Sequence, residues 1–210
     1  MKTIDCIKER YSVREYKLKD VKIDLVNEIL DIARFAPSSG NLQNWVVIIV
    51  TNRDKRIKIA KICADQTWMA NAPVHLIICN DHNVVKREYG QRGLRYSIMN
   101  VSAFIQNILL LAHDGGLGAC WVSAFSENSL RKVVEISENL TPESVITLGY
   151  PDEKPGKRKR FEVRDFVFFD KGGNKNFTPL PKTEKITENI KEKTNVVKNK
   201  FKDFLKNFKK

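Results

Sequence analysis

Residues 93–114 constrain the fold most. Ile98, Val101, Ile105, Ile108, Leu109 and Ala112 recur there at helical spacing, and Gly115 and Gly116 suit the C-terminal end of a helix. The segment is apolar around much of its girth, which predicts a central helix covered on several sides rather than a surface one. The covering layers are readable nearby. WVVIIVT (45–51) and VHLIICN (74–80) are continuous apolar runs and read as buried strands. Residues 20–36 place Leu25, Val26, Ile29, Leu30 and Ala33 on one helical stripe that Pro37 stops. Residues 3–10 predict a short helix, and 53–63 another through Ile57, Ala60 and Ile62. GACWVSAF (118–125) predicts a third strand, with Ser126 as the N-cap of a helix running to about Ile136. SVITLGYP (144–151) predicts a strand and turn, and residues 154–170 begin basic and end in an aromatic run that predicts one more strand. This order excludes an all-α bundle and an all-β sandwich and leaves a mixed α/β or α+β domain.

Composition narrows the chemistry. At 42% hydrophobic and 30% charged, the 210 residues can bury a core of useful size. Cys6, Cys63, Cys79 and Cys120 are scattered without a C-x-x-C pair, and His75, His82 and His113 form no spaced cluster. Neither a disulfide framework nor a metal site is expected, and Cys63 and Cys79 read as reduced core residues. The N-terminus lacks the apolar stretch of a signal peptide, and no run reaches the roughly 18 apolar residues that span a bilayer. A cytoplasmic protein is expected. No G-x-G-x-x-G follows the first strand, so the dinucleotide-binding fingerprint is absent.

The net charge of +12 is uneven. Residues 181–210 hold ten lysines and four acids. Residues 172–182, rich in Gly, Asn and Pro, read as a linker. Over 183–210, Ile186, Ile190, Val197, Phe201, Phe204, Leu205 and Phe208 follow helical spacing among lysines, which predicts a basic amphipathic extension. Packing of that extension on its own dimer is favoured over contact with nucleic acid or an acidic membrane.

Several loops carry chemistry. In RYSVR, Arg10, Ser12 and Arg14 alternate, so an extended backbone points all three to one side. Two guanidinium forks and a hydroxyl suit a phosphate. Arg158 and Arg160 are also two apart and could close on the same group, or form only a solvated turn. FAPSSGNLQNW (35–45) collects amides that donate and accept without charge, around a glycine that permits close backbone approach. Alone, it could be a capped helix end. Trp45 opens a buried strand and reads as core.

Taken in order, these segments resemble the FMN-dependent nitroreductase family over about residues 3–170. ERYSVREY (9–16) is similar to the family's R-x-S-x-R signature, APSSGNLQNW (36–45) to its amide-rich loop, and GLGACWVSAF (116–125) followed by LGYPDEKPGKRKR (148–160) to its later motifs. The resemblance implies an α+β fold with a central, mostly antiparallel sheet flanked by helices and a long central helix at a dimer interface. The implied FMN-binding domain is 1–171. The resemblance further implies a homodimer with FMN at the subunit interface, NADH or NADPH as electron donor, and two-electron ping-pong reduction of small oxidised acceptors such as nitroaromatics or quinones. It assigns Arg10 and Ser12, with Arg158 and Arg160, to the phosphate end, Arg14 to the ring edge or ribityl chain, and Tyr11 to cofactor binding. Pro37, Ser38, Ser39, Asn41 and Gln43 would reach the partner's flavin, and Trp121, Val122, Ser123 and Ala124 would lie against the ring, a backbone N–H there meeting flavin N5. Ser123 stands where some relatives carry an acid. Gln66 aligns loosely with the pyrimidine edge, whereas Asn100, Gln106 and Asn107 suit a dimer interface as well as a cofactor. No side chain is assigned as a catalytic acid or nucleophile. Alternatives are a flavin-dependent dehalogenase or oxidase of the same family, or a binding module acting through the basic tail.

Overall fold

The computed structural model describes residues 1–156 and 159–174. The chain divides into two compact units, Met1–Gly156 and Lys157–Lys210. The extension expected at 183–210, most of the linker and Arg158 lie outside the described residues.

The first unit is an α+β domain around a four-stranded sheet. Its strands are β1 (Trp45–Val50), β2 (Val74–Asn80), β3 (Gly118–Val122) and β4 (Thr141–Gly149). The spatial order is β1-β2-β4-β3 and every pair is antiparallel. All seven residues of β2 are buried, as expected for an apolar run with sheet on both sides and helices on both faces. β1 and β3 are the edges.

Helices cover both faces. α2 (Ile23–Ala33) and α5 (Arg92–Asp114) pack on one face, where Val26, Ile29, Val101, Phe104, Ile105 and Ile108 meet Leu76, Ile78, Ile146 and Leu148. α3 (Arg53–Ile62) and α6 (Glu127–Val134) pack on the other, through Ile59, Leu130 and Val134 against Ile77, Cys79 and Val145. α1 (Thr3–Glu9) lies against α5, and α4 (His82–Tyr89) forms a tight hairpin with the start of α5. Trp45 joins the core as expected, stacked on Phe104 with 4.7 Å between ring centroids. The end of α5 closes as its glycines suggest, with Leu117 N–H donating to Ala112 O at 2.7 Å and Gly116 at φ 76°. Cys63 and Cys79 are fully buried, and burial pushes their thiols up to about 12 and about 11.

Two local expectations fail. Ser126 occupies the N-cap of α6, but its hydroxyl bonds Ser129 Oγ at 2.9 Å instead of a helix N–H. The strand expected within 154–170 is absent among the described residues. Instead α7 (Val163–Phe166), a single turn in the second unit, forms where Glu162 and Asp165 make a reciprocal capping box. Two satisfied backbone donors outweigh the β propensity of the neighbouring aromatics. No helix among the described residues is long and apolar enough to cross a membrane.

Candidate active site

The N-terminal motif is clamped onto the β3 edge. Arg10 leaves α1 with φ −55° and ψ 131°, so the chain runs extended from there. Ser12 forms a parallel bridge with Ala119, and Val13 N–H donates to Ala119 O at 3.0 Å. The chain then crosses to the segment after β4. Lys17 N–H donates to Tyr150 O and Asp152 N–H to Glu15 O, both at 2.9 Å. The Glu153 carboxylate accepts the N–H groups of Arg14 and Glu15, and Tyr11 Oη donates to Glu153 O at 2.8 Å. RYSVREY, GLGACW and GYPDE, far apart in sequence, thus share one edge.

Two glycines make this possible. Gly118 and Gly149 face each other in the β3–β4 register. A Cβ on Gly118 would lie 2.6 Å from Val13 Cγ2, and one on Gly149 would lie 2.7 Å from Tyr16 Cδ1. The pair is a notch into which Val13 and Tyr16 sink. Tyr16 Oη stands 2.7 Å from both Val13 O and Thr147 Oγ1, and desolvation holds its phenol far above its usual range.

The alternation predicted for this segment is present. Val13 is 1% exposed, whereas Arg14 is exposed and Arg10 and Ser12 are half-buried. The side chains of Arg10 and Ser12 make no hydrogen bond or ion pair with any described residue, and the Arg14 guanidinium lies 5.8 Å from the Trp68 ring. Tyr11 is turned the other way and packs with Val13 and Tyr16. Trp121, Ser123 and Ala124 are exposed, with Trp121 Nε1–H donating to Ser123 Oγ at 2.9 Å. The side chain of Val122 is in the core. A cleft of about 140 Å³ opens beside Arg10, Tyr11, His113, Gly118 and Pro151. That is well below the roughly 300–1,000 Å³ of a complete ligand pocket.

The amide-rich loop is built separately. Gly40 (φ 57°), Asn41 (φ 57°) and Gln43 (φ 45°) are left-handed. Gln43 N–H donates to Ser38 Oγ, and Gln43 Nε2 donates to Asn41 O and Oδ1 at 3.2 and 3.1 Å. Ser39 donates to Asn100 Oδ1 from its N–H at 2.9 Å and its hydroxyl at 3.1 Å. Pro37, Asn41 and Gln43 face solvent. This loop leads into the start of β1, so it sits at the sheet edge opposite the clamp and toward the other end of the strands, diagonally across the sheet.

Other candidates are engaged locally. Gln66 Nε2 donates to Cys63 O at 3.0 Å, and Asn107 Nδ2 to Ala33 O at the end of α2. Gln106 is exposed. Arg160 belongs to the second unit. Sequence reasoning missed Glu153, the glycine notch, and the buried polar residues Asn44, Asn80 and Ser97 that, with the partly buried Glu143, support the loop. Asn80 gave one usable signal, a lone amide closing a strand of buried apolar residues.

Comparison with known proteins decides the family. The nitroreductase family model matches residues 7–68 and 64–150. The chain belongs to the nitroreductase family. It is therefore an NAD(P)H-dependent oxidoreductase of α+β fold. A protein of Methanothermobacter thermautotrophicus named as an NADH dehydrogenase/NAD(P)H nitroreductase is 35% identical over 77% of this chain and 84% of its own. The Bacillus subtilis FMN reductase [NAD(P)H] is 25% identical over 75% of this chain and 69% of its own. The crystal structure of a nitroreductase family protein from Clostridium difficile aligns with TM-score 0.72 at 25% identity, covering 81% of this chain and 99% of that one.

Proposed function

We propose that this nitroreductase binds FMN at a homodimer interface and uses NADH or NADPH to reduce small oxidised acceptors, nitroaromatics or quinones among them, by ping-pong two-electron transfer. One observation carries the reading. The guanidinium and hydroxyl groups of Arg10 and Ser12 line one sheet edge without partners among the described residues, while the amide loop projects from the opposite edge. One chain offers two half-sites at diagonally opposite corners of its sheet. A second copy that brings its loop to the first chain's clamp would complete the pocket. The partly exposed apolar residues Leu94, Ile98 and Met99 of α5 offer a surface for that copy.

The donor set fits FMN. Arg10 and Ser12 would hold the phosphate by charge-assisted hydrogen bonds. Arg14 would meet the ring edge or ribityl chain. Ser38, Ser39, Asn41 and Gln43, with the Pro37 backbone, would satisfy polyol and pyrimidine atoms without adding charge. The Trp121 to Ala124 main chain would orient the ring edge and exclude water beside it. When bound, FMN would supply the two-electron redox centre between the nicotinamide and the acceptor. No side chain here is required as a nucleophile, and the positive clamp favours anionic nucleotides and electron-poor aromatics. In this reading the chain acts in the cytoplasm.

The test is direct. The purified protein should be yellow, and light scattering should give twice the 24.2 kDa chain mass. Changing Arg10 and Ser12 together to alanine should weaken FMN binding by a factor of about 100 or more, since each charge-assisted bond contributes about 1.5–3 kcal/mol. A colourless protein that takes up no added FMN overturns the reading.

A further inference from the structure

The loop at 38–43 is not held by its own contacts alone. Behind Ser39 lies a chain of buried polar side chains. Asn100 Nδ2 donates to Asn44 Oδ1 at 2.7 Å, Asn44 Nδ2 donates to Asn80 Oδ1 at 2.7 Å, and Asn80 Nδ2 donates to Glu143 Oε1 at 2.8 Å. Asn44, Asn80 and Asn100 are at most 4% exposed. Ser97, fully buried, flanks the chain: its carbonyl accepts from Asn44 Nδ2, and its hydroxyl accepts from Asn80 Nδ2 and donates to Leu94 O. His82 stands at the outer end, with Nδ1 2.7 Å from Ser97 Oγ and Nε2 3.4 Å from Glu143 Oε1.

An asparagine amide can face either way, so three in a row could run in either direction. Here both ends are fixed. An ionised Glu143 carboxylate only accepts, and the Ser39 backbone N–H only donates. A single orientation satisfies every link, with donors pointing from Ser39 toward Glu143. A reversed amide would face a carboxylate with an oxygen, or leave a buried N–H unpaired. The sheet is bent to supply that end group. Ile78 pairs with Ser144 but Cys79 pairs with Pro142, so Glu143 is the extra residue of a β-bulge. By strict alternation Glu143 would share the face of Val145, under α3 and α6. The bulge turns its carboxylate toward Asn80 on the α5 side.

We propose that Glu143, Asn80, Asn44 and Asn100 form a one-directional relay that positions the 38–43 loop for cofactor. None of the four touches the proposed flavin; they are positioning residues acting through Ser39. The left-handed angles at Asn41 and Gln43 are unfavourable for side-chain-bearing residues, so the loop needs a tether to persist without ligand. The role in cofactor binding rests on the FMN reading above, whereas the tethering of the loop does not.

The experiment separates the two. Hydrogen exchange at the Ser39 amide and the FMN dissociation constant are measured on apoprotein for wild type, Asn100→Leu, Glu143→Leu and Glu143→Gln, with thermal melting of each. The expected result is at least tenfold faster Ser39 exchange in Asn100→Leu and at least threefold in Glu143→Leu, with FMN affinity falling by similar factors. Glu143→Gln, which keeps an acceptor, should stay within twofold of wild type. Glu143 is partly exposed, so its variants test the relay even where Asn100→Leu fails to fold. Unchanged Ser39 exchange in folded Glu143→Leu overturns the relay. Faster exchange with unchanged FMN affinity overturns its link to cofactor, and a wild type that binds no FMN overturns the flavin reading while the exchange result stands.

Discussion

At position 118 only a hydrogen atom fits as a side chain, because Val13 occupies the space a methyl group would need. The Gly118→Ala variant should therefore lose about 1–3 kcal/mol through overpacking, unless the segment at Ser12 and Val13 lifts off β3. Urea denaturation reads the loss, and Val13→Ala in the same chain should recover part of it, since the two positions share one contact. An unshifted midpoint in Gly118→Ala would show that the notch does not hold the Val13 segment. The side of Arg10, Ser12 and Arg14 was legible in sequence because a period of two needs only an extended backbone. The reason for Gly118 was not, because it lies in a partner more than a hundred residues away. The same holds for Glu143, whose direction depends on a bulge that no local pattern announces.

Elements with a strong stripe could be read nearly to their ends. The long helix expected over 93–114 spans Arg92–Asp114, and VHLIICN is strand throughout. α4 escaped because its eight residues bury one side chain, Val85, which leaves no stripe to see. The turn at α7 was misread because its capping box is a pair of side-chain contacts rather than a periodicity. Caps that are present can be tested singly. Asn52 Oδ1 accepts the Lys55 N–H at 3.0 Å and starts α3, which carries Ile59 and Ala60 into the core. Asn52→Ala should cost about 1 kcal/mol, and Asn52→Gly only a few tenths. Thermal melts of the two variants should rank in that order; equal melting temperatures for Asn52→Ala and wild type would show that the cap contributes nothing to the folded domain.

For the whole molecule, the four strands of the sheet were legible in sequence, beside a fifth that did not form, but their order β1-β2-β4-β3, which sets the clamp and the amide loop on opposite edges, was not. Non-local pairing decides that order, and it also buries His75 completely in β2. There the ring holds Met69 O through Nε2 at 2.8 Å, while Nδ1 has no partner among the described residues. Desolvation lowers its pKa from 6.5 to about 4; the Met69 bond opposes the shift and the Arg56 guanidinium adds to it. Below pH 6.5 the unfolded chain takes up a proton that the folded chain refuses. Stability from this group is therefore complete above pH 6.5, falls as pH drops toward about 4, and changes no further below that. The loss across the window is about 3 kcal/mol at most. Urea unfolding of wild type and His75→Leu at pH 7, 5.5 and 4.5 isolates it, because titrating carboxylates act on both proteins alike. The gap between the two should shift steadily toward His75→Leu as the solution is acidified, while parallel pH profiles would mean that His75 is not the group refusing the proton.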